Sequence, residues 1–377
     1  TLSLITNAVY EPQDPIARPG FVFAGWYTQE SEAYQKTHDP IVFPMEIEEN
    51  QPFYARWFHE EEGVDGLEYQ LINDGTEYAI SAYRGELKYV VIPSKYKDKP
   101  VTKILKNAFS EAVNPINAQV YNIIIPHTIR EIDKGAFEQT LWYSQYRGDY
   151  VYLNDILIEY RGAKEEVVVP EHIKYITAGA FKDNSAVKSI IFPQDIEILP
   201  AELMYNCSAL TDIVLPANLK KIESKAFMDC FSLRTIDFPS TIEEIASDAF
   251  ENTAWLKNYV DDVVVEHNIL YKYKGDQPSL HLPNIVTKIE KDAFKDNIFI
   301  NYLYIPSTVN TIAQSAFEGC INLIEVIFSQ NTQIRYIGDR AFYGCIMLKN
   351  FSLGDNMLTS IGEYAFAYCS GLANVEF

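Results

Sequence analysis

The dipeptide Ala-Phe returns at nearly constant spacing along most of this chain, and that recurrence limits the fold more than any other feature. Its phenylalanine stands at Phe109, Phe137, Phe181, Phe227, Phe250, Phe294, Phe317, Phe342 and Phe366, with Leu203-Met204 filling the one gap. The commonest spacing is 23 residues, lengthening to 25 and 24 near the C-terminus, so ten units result. Eight residues before each anchor comes Val101, Ile129, Ile173, Ile196, Leu219, Ile242, Val286, Val309, Ile334 or Leu358. Five before it comes Ile104, Ile132, Ile176, Leu199, Ile222, Ile245, Ile289, Ile312, Ile337 or Ile361. Further upstream a short strand ends in proline, as in Ile123–Pro126, Ile213–Pro216 and Leu303–Pro306. Proline is tolerable there because it closes a strand instead of interrupting a ladder. One such unit has an apolar side too small to be stable alone. Stacking buries that side as a continuous core, with coils ~4.8 Å apart, the β-strand spacing. The spacing therefore predicts a β-rich solenoid.

The cysteines support the register. Cys207, Cys230, Cys320, Cys345 and Cys369 each lie three residues after an anchor, and no CxxC pair occurs. A cysteine held at one repeat position reads as a small buried hydrophobe, and neither a disulfide framework nor a zinc site is indicated. Two anchor spacings are 44, each with 21 extra residues, and the insertions match one another at an offset of 113. Trp142 and Trp255 follow their anchors by five, and Ile156–Gly162 and Ile269–Gly275 begin nineteen after them, with an echo at Tyr83-Arg84-Gly85. Each insertion is expected as a hairpin on the solenoid edge with glycine in its turn. Its tryptophan is expected to pack beneath the hairpin, a ligand platform being the alternative.

Residues 1–58 lack the repeat. Pro19–Tyr27 and Pro52–Trp57 read as strands of a small aromatic sheet. The acidic, glycine-containing stretch 59–66 is expected to be a linker, and residues 67–85 to cap the first apolar face of a solenoid over 67–377. The start at Thr1 carries no charged and apolar leader, so a mature or trimmed form is expected. No apolar run reaches the ~20 residues of a membrane span, so no membrane insertion is expected.

With 31 basic and 52 acidic residues the net charge is −21. A nucleic acid or an anionic membrane surface would be repelled, and neither is expected as a partner. No catalytic constellation is present. GxSxG, HExxH, the P-loop and GxGxxG are missing, as is DxDxDG calcium spacing, and the six histidines share no repeat position. The expectation is a protein that is not an enzyme and has no cofactor and no metal site.

A binding surface is more readily placed. Side chains alternate along a strand, so the central residue of each proline-terminated strand should face outward. The series begins Val91, Ile124, Val168, Ile191, Val214, continues Asp237, His281, Tyr304, Ile327, and ends Ser352, Glu376. The first five are apolar and β-branched, which suits strands in any case, but stacked on one open sheet they would form more than scattered apolar exposure. Val91, Ile124, Val168, Ile191 and Val214, with Tyr304, are the candidate binding residues. A spacer segment with no ligand of its own is the alternative.

Residues 67–377 resemble the BspA-like leucine-rich-repeat family, whose unit runs roughly LxxIxIPxxVxxIxxxAFxxCxx; Leu210–Ser232 follows it almost position by position. Residues 19–57 resemble the Listeria–Bacteroides repeat, a β-grasp-like surface module, with Phe21 at its usual tyrosine and Asn50-Gln51-Pro52 at its usual threonine. These resemblances imply a leucine-rich-repeat right-handed superhelix of about ten 23-residue units with two hairpin insertions, plus a small N-terminal β-grasp-like domain. They also imply a secreted or cell-surface bacterial protein linked with adhesion to a protein or glycan on host matrix or another cell.

Overall fold

The computed structural model describes residues 9–10, 18, 20–30, 40–41, 45–46, 52–354 and 357–376. Two compact units emerge, Thr1–Gly162 with His172–Ala180, and Ala163–Glu171 with Phe181–Phe377. Each contains stacked coils whose strands pair in parallel with those of the next coil.

In the second unit an ordinary coil places the strand Asp212–Val214 on one side and Lys221–Ile222 on the other. The chain then bulges through a left-handed residue, Lys225 (φ 58), brings Phe227 inward, and turns again at Asp229 (φ 64). The second turn falls two residues after the anchor in every such coil, at Asp183, Asn206, Asp229, Asn252 and Asp296, then Gly319, Gly344 and Tyr368. Asn, Asp and Gly are the residues that enter this conformation at least cost. Neighbouring coils also alternate amide and carboxylate, so Asn206 Nδ2 donates to Asp183 Oδ1 at 2.8 Å and Asn252 Nδ2 to Asp229 Oδ1 at 2.7 Å.

The anchors make the core. Most anchor N–H groups donate to a carbonyl of the following coil, as Phe227 N to Ala249 O (2.7 Å) and Phe317 N to Ala341 O (2.7 Å). The rings stack along the coil axis, with centroids 5.1 Å apart for Phe227–Phe250, 4.8 Å for Phe294–Phe317 and 5.0 Å for Phe317–Phe342. All five cysteines are buried and free. Each thiol donates to a carbonyl of an earlier coil, for example Cys230 Sγ to Met204 O at 3.1 Å and Cys320 Sγ to Phe294 O at 3.0 Å. Burial pushes the thiols of Cys207 and Cys320 up to about 12.

Each insertion holds the expected hairpin, with its turn at Asn154-Asp155 or His267-Asn268 instead of at a glycine, and it adds a further coil to the stack. A buried threonine caps a one-turn helix, Thr140 before Leu141–Gln145 and Thr253 before Ala254–Asn258. An antiparallel pair follows, Tyr150–Leu153 with Ile156–Tyr160 and Val263–Glu266 with Ile269–Tyr273. The second strand of each pair then joins the parallel ladder: Leu157 pairs with Ile176, and Leu270 with Ile289. Tyr160 and Tyr273 take the anchor position, their N–H groups donating to Ala180 O (2.8 Å) and Ala293 O (3.0 Å) as an anchor phenylalanine would. Tyr83 does the same toward Ala108 O (2.9 Å). With these tyrosines the coils number thirteen, four anchored in the first unit and nine in the second, instead of ten. Trp255 is buried and Trp142 packs against the first unit's core, as expected for tryptophans beneath a hairpin.

In the first unit Phe21–Tyr27 pairs antiparallel with Tyr54–His59, and Val9–Tyr10 with Met45–Glu46. Pro19, Asn50 and Gln51, on which part of the N-terminal resemblance rests, lie outside the described residues. The stretch 59–66 runs along the first coil. Val64 N donates to Val91 O at 3.0 Å and Ser94 N to Glu60 O at 2.7 Å, while Lys95 pairs with Glu61 at 2.6 Å. Ala24, Phe58 and Val64 share one apolar cluster with Tyr89, Val91 and Ile92.

Candidate binding surface

The outward series divides when its side chains are placed. In the first unit Tyr89–Val91 pairs with Asn122–Ile124, which aligns Val91 with Ile124. Val91 is 1% exposed, because Val64, Phe58 and the chain around Gly63 cover it. Ile124 is half-buried against the same cluster. Val91 is closed to a partner, which corrects its placement on an exposed face, and Ile124 is only partly exposed. Alternation gave the correct side of the strand; what lies over that side is set by residues far away in sequence.

In the second unit the expectation holds for three residues. The strands Glu166–Val168, Ser189–Ile191 and Asp212–Val214 form one parallel sheet that brings Val168, Ile191 and Val214 into register. Their exposures are 57%, 43% and 49%, while Val167 and Ile190 between them face the core and are buried. No strand forms around Asp237. A second sheet starts at Ser279–His281 and carries His281 stacked on the half-buried Tyr304, ring centroids 3.8 Å apart and 5° from parallel. Apolar exposure on the first of these sheets is thus a three-strand patch.

A second surface feature went unread in the sequence. In ordinary coils five residues separate the inward strand residue from its anchor, as from Ile222 to Phe227. In the tyrosine coils three do, as from Leu270 to Tyr273. The variant strand runs straight where its neighbours bulge, and a notch opens over it. The notch over Ile269–Tyr273 is part of a groove of about 720 Å³ whose walls include Ser247 and Asp248 on one side, Lys291 and Asp292 on the other, and Lys272 between them. Lys272 is ion-paired with Glu251. Asp248 is satisfied by Ser224 Oγ at 2.8 Å and Lys225 N at 3.2 Å. Asp292 is not. Its Oδ1 is buried and accepts no hydrogen bond, and Lys295 Nζ stands 3.8 Å away, shared with Glu318. Burial raises the Asp292 carboxyl above its ordinary pKa. The signal that could have revealed this site is arithmetic: 44 is 23 plus 21, a full coil and a coil short by two.

Among the described residues no group of three or more His, Cys, Asp or Glu side chains is arranged to hold a metal ion, and no helix is long and apolar enough to cross a membrane.

The BspA-type leucine-rich-repeat region matches in six copies, over residues 82–146, 159–267 and 264–377. The chain belongs to that family. As a BspA-type protein it is similar in fold to solved leucine-rich-repeat structures. One is from T. pallidum, at 26% identity over 51% of this chain and 82% of that one, TM-score 0.28. Another is from Bacteroides ovatus, at 22% identity over 83% and 88%, TM-score 0.33. A third is the pneumococcal vaccine antigen PcpA, at 17% identity over 84% and 81%, TM-score 0.34. Among curated proteins none matches it. The BspA-type match spans every coil of the second unit on which the apolar sheet and the notch are built.

Proposed function

We propose that this BspA-type protein is displayed at a bacterial cell surface and works as a binding module, with a protein or glycan of a host matrix or another cell as its ligand. Family membership supports the surface role, and the observation that carries the binding role is the exposed row Val168, Ile191 and Val214. A solenoid offers such a row as a continuous surface to which successive coils each contribute. Covering even ~200 Å² of apolar surface is worth roughly 5 kcal/mol at ~25 cal/mol per Å², before the costs of association. Replacing Val168 and Ile191 together with lysine should abolish binding in a screen of immobilised matrix proteins and glycans. Thermal unfolding should change little, because both side chains already face water. A spacer with no ligand would give no binding with either chain, and that result would remove the proposal.

A further inference from the structure

One turn of the second unit differs from the others in length, and an arginine beside it differs in its neighbours. Ile305 pairs with Phe328 and Ile312 with Ile337, so the seven steps between the two strands of one coil become nine in the next. The two additional residues lie in the turn before Ile334, which accounts for the anchor spacing of 25 between Phe317 and Phe342. Beside this turn a groove of about 620 Å³ is lined by Thr287, Ser307, Thr308, Asn310, Gln333 and Arg335. No carboxylate is among them, in a chain with 52 acidic residues. Arg335 stands seven residues before its anchor, in a column where the other basic side chains are paired. Arg130 is ion-paired with Glu77, Lys174 with Asp155 at 3.5 Å and Lys220 with Glu197 at 2.9 Å. The neighbours of Arg335 in that column are Asn310 and Thr359, each joined to it by a backbone hydrogen bond of 2.8 Å, and both are neutral. Among the described residues the exposed Arg335 guanidinium has no ion pair or hydrogen bond, and the side chains of Ser307 and Gln333 have none either. Thr311 Oγ1 donates to Asn310 Oδ1 at 2.7 Å, which leaves Asn310 Nδ2 as a donor.

We propose that this groove binds an acidic saccharide, with its carboxylate held by Arg335 and its hydroxyls by Ser307, Asn310 and Gln333. A guanidinium presents a planar fork that meets a carboxylate with two parallel hydrogen bonds. The amides and the hydroxyl beside it both donate and accept, as a sugar hydroxyl does. None of the six lining residues is an apolar one against which a peptide side chain could pack, which favours a sugar over an acidic peptide. A chain with a net charge of −21 repels anions in general, so holding one at this surface requires a local cation without an internal partner. The proposal is independent of the apolar sheet, since no residue of the row Val168, Ile191, Val214 lines the groove.

The whole chain is titrated by calorimetry at ~0.15 M salt, which screens diffuse surface effects. The probes are trigalacturonate, maltotriose as a neutral sugar, and blocked triglutamate as the same charge on a peptide. Saturable binding of trigalacturonate alone is expected. Arg335→Gln should weaken it about tenfold or more, the scale of a lost charge-assisted bond. Thermal unfolding of that variant should be unchanged, because the side chain already faces water. Asn310→Glu should block binding by giving Arg335 an internal partner one coil earlier, the arrangement of Glu197 with Lys220. The chain with both Val168 and Ile191 replaced by lysine should bind trigalacturonate as the unaltered chain does, so that failure of this site and failure of the apolar row are read separately. Three results overturn the proposal: no binding of trigalacturonate, equal binding of maltotriose, or binding that Arg335→Gln leaves unaltered. Triglutamate binding as tightly as trigalacturonate would also overturn it, in favour of an acidic peptide.

Discussion

At the scale of single residues, the Tyr-x-Gly strings explain how a tyrosine can serve as an anchor. Tyrosine exceeds phenylalanine by one hydroxyl, and in this buried slot that oxygen needs space and a partner. A Cβ on Gly275 would stand 2.5 Å from the Tyr273 hydroxyl, and one on Gly85 2.5 Å from that of Tyr83. Glycine is therefore required for room, since neither of these two has a left-handed φ. The Tyr273 hydroxyl accepts from Gln277 N at 3.2 Å, and that of Tyr83 donates to Leu87 O at 2.8 Å. Gly275→Ala should destabilise the protein by ~1–3 kcal/mol through overpacking. Tyr273→Phe in the same chain should recover a part of that loss, because it removes the hydroxyl, one of the three atoms in collision; the ring carbons Cζ (2.6 Å) and Cε2 (2.7 Å) remain. Denaturant unfolding of both single variants and the double would show the coupling, and strictly additive losses would disprove the steric account. Tyr271 makes a second such adjustment: its buried hydroxyl accepts from Phe250 N at 3.3 Å, where an ordinary coil would offer a backbone carbonyl.

At the scale of the coil, stability comes from the anchor column and from side chains that tie neighbouring turns together. Phe227 is fully buried, its ring 5.1 Å from that of Phe250 and nearly parallel to it. Phe227→Ala should cost ~3–5 kcal/mol in chemical denaturation, as for other large core truncations; a loss below ~1 kcal/mol would be the surface scale and would contradict the register. Between coils, Glu318 accepts from Arg340 Nε at 3.0 Å and Nη2 at 2.8 Å, and from Ser315 Oγ at 2.7 Å. The paired Arg340 guanidinium holds its carboxyl at about 2, against an ordinary 4.5. A carboxylate whose folded pKa is depressed stabilises above its unfolded value and loses that contribution as pH falls through the folded one. Stability should therefore decline between pH 4.5 and about 2, and Glu318→Gln should flatten that part of the profile. An unchanged acid-unfolding curve in the variant would show that the pair contributes nothing measurable.

At the scale of the whole first unit, the segment before the repeats completes the apolar cluster. Val91, Tyr89 and Ile92 share that cluster with Val64, Phe58 and Ala24, and three backbone hydrogen bonds, with Arg84, Val91 and Ser94, fasten 59–66 to the first coil. A chain beginning at Leu67 should expose that cluster, bind an apolar dye such as ANS and unfold at lower temperature than the 377-residue chain. If residues 67–85 were a sufficient cap, the shortened chain would bind no more dye and melt unchanged.

Much of this was determined by the sequence alone. A period of 23 with twenty aliphatic positions in step can bury its apolar side only by stacking, so the solenoid, its inward residues and the five buried cysteines follow from spacing. Alternation likewise put Val168, Ile191 and Val214 on the outer side. The tertiary structure decided the rest. Tyr83, Tyr160 and Tyr273 escaped an anchor defined by Ala-Phe because their coils reach the core by a straight strand two residues shorter. Recognising them requires the hydrogen bonds to Ala108, Ala180 and Ala293. Val91 satisfies the same alternation as Val168, yet it is buried, because a local periodicity states which way a side chain points and not which distant segment covers it. The open notch has the same origin: only a neighbouring coil's bulge, placed by packing, turns a missing two residues into a groove.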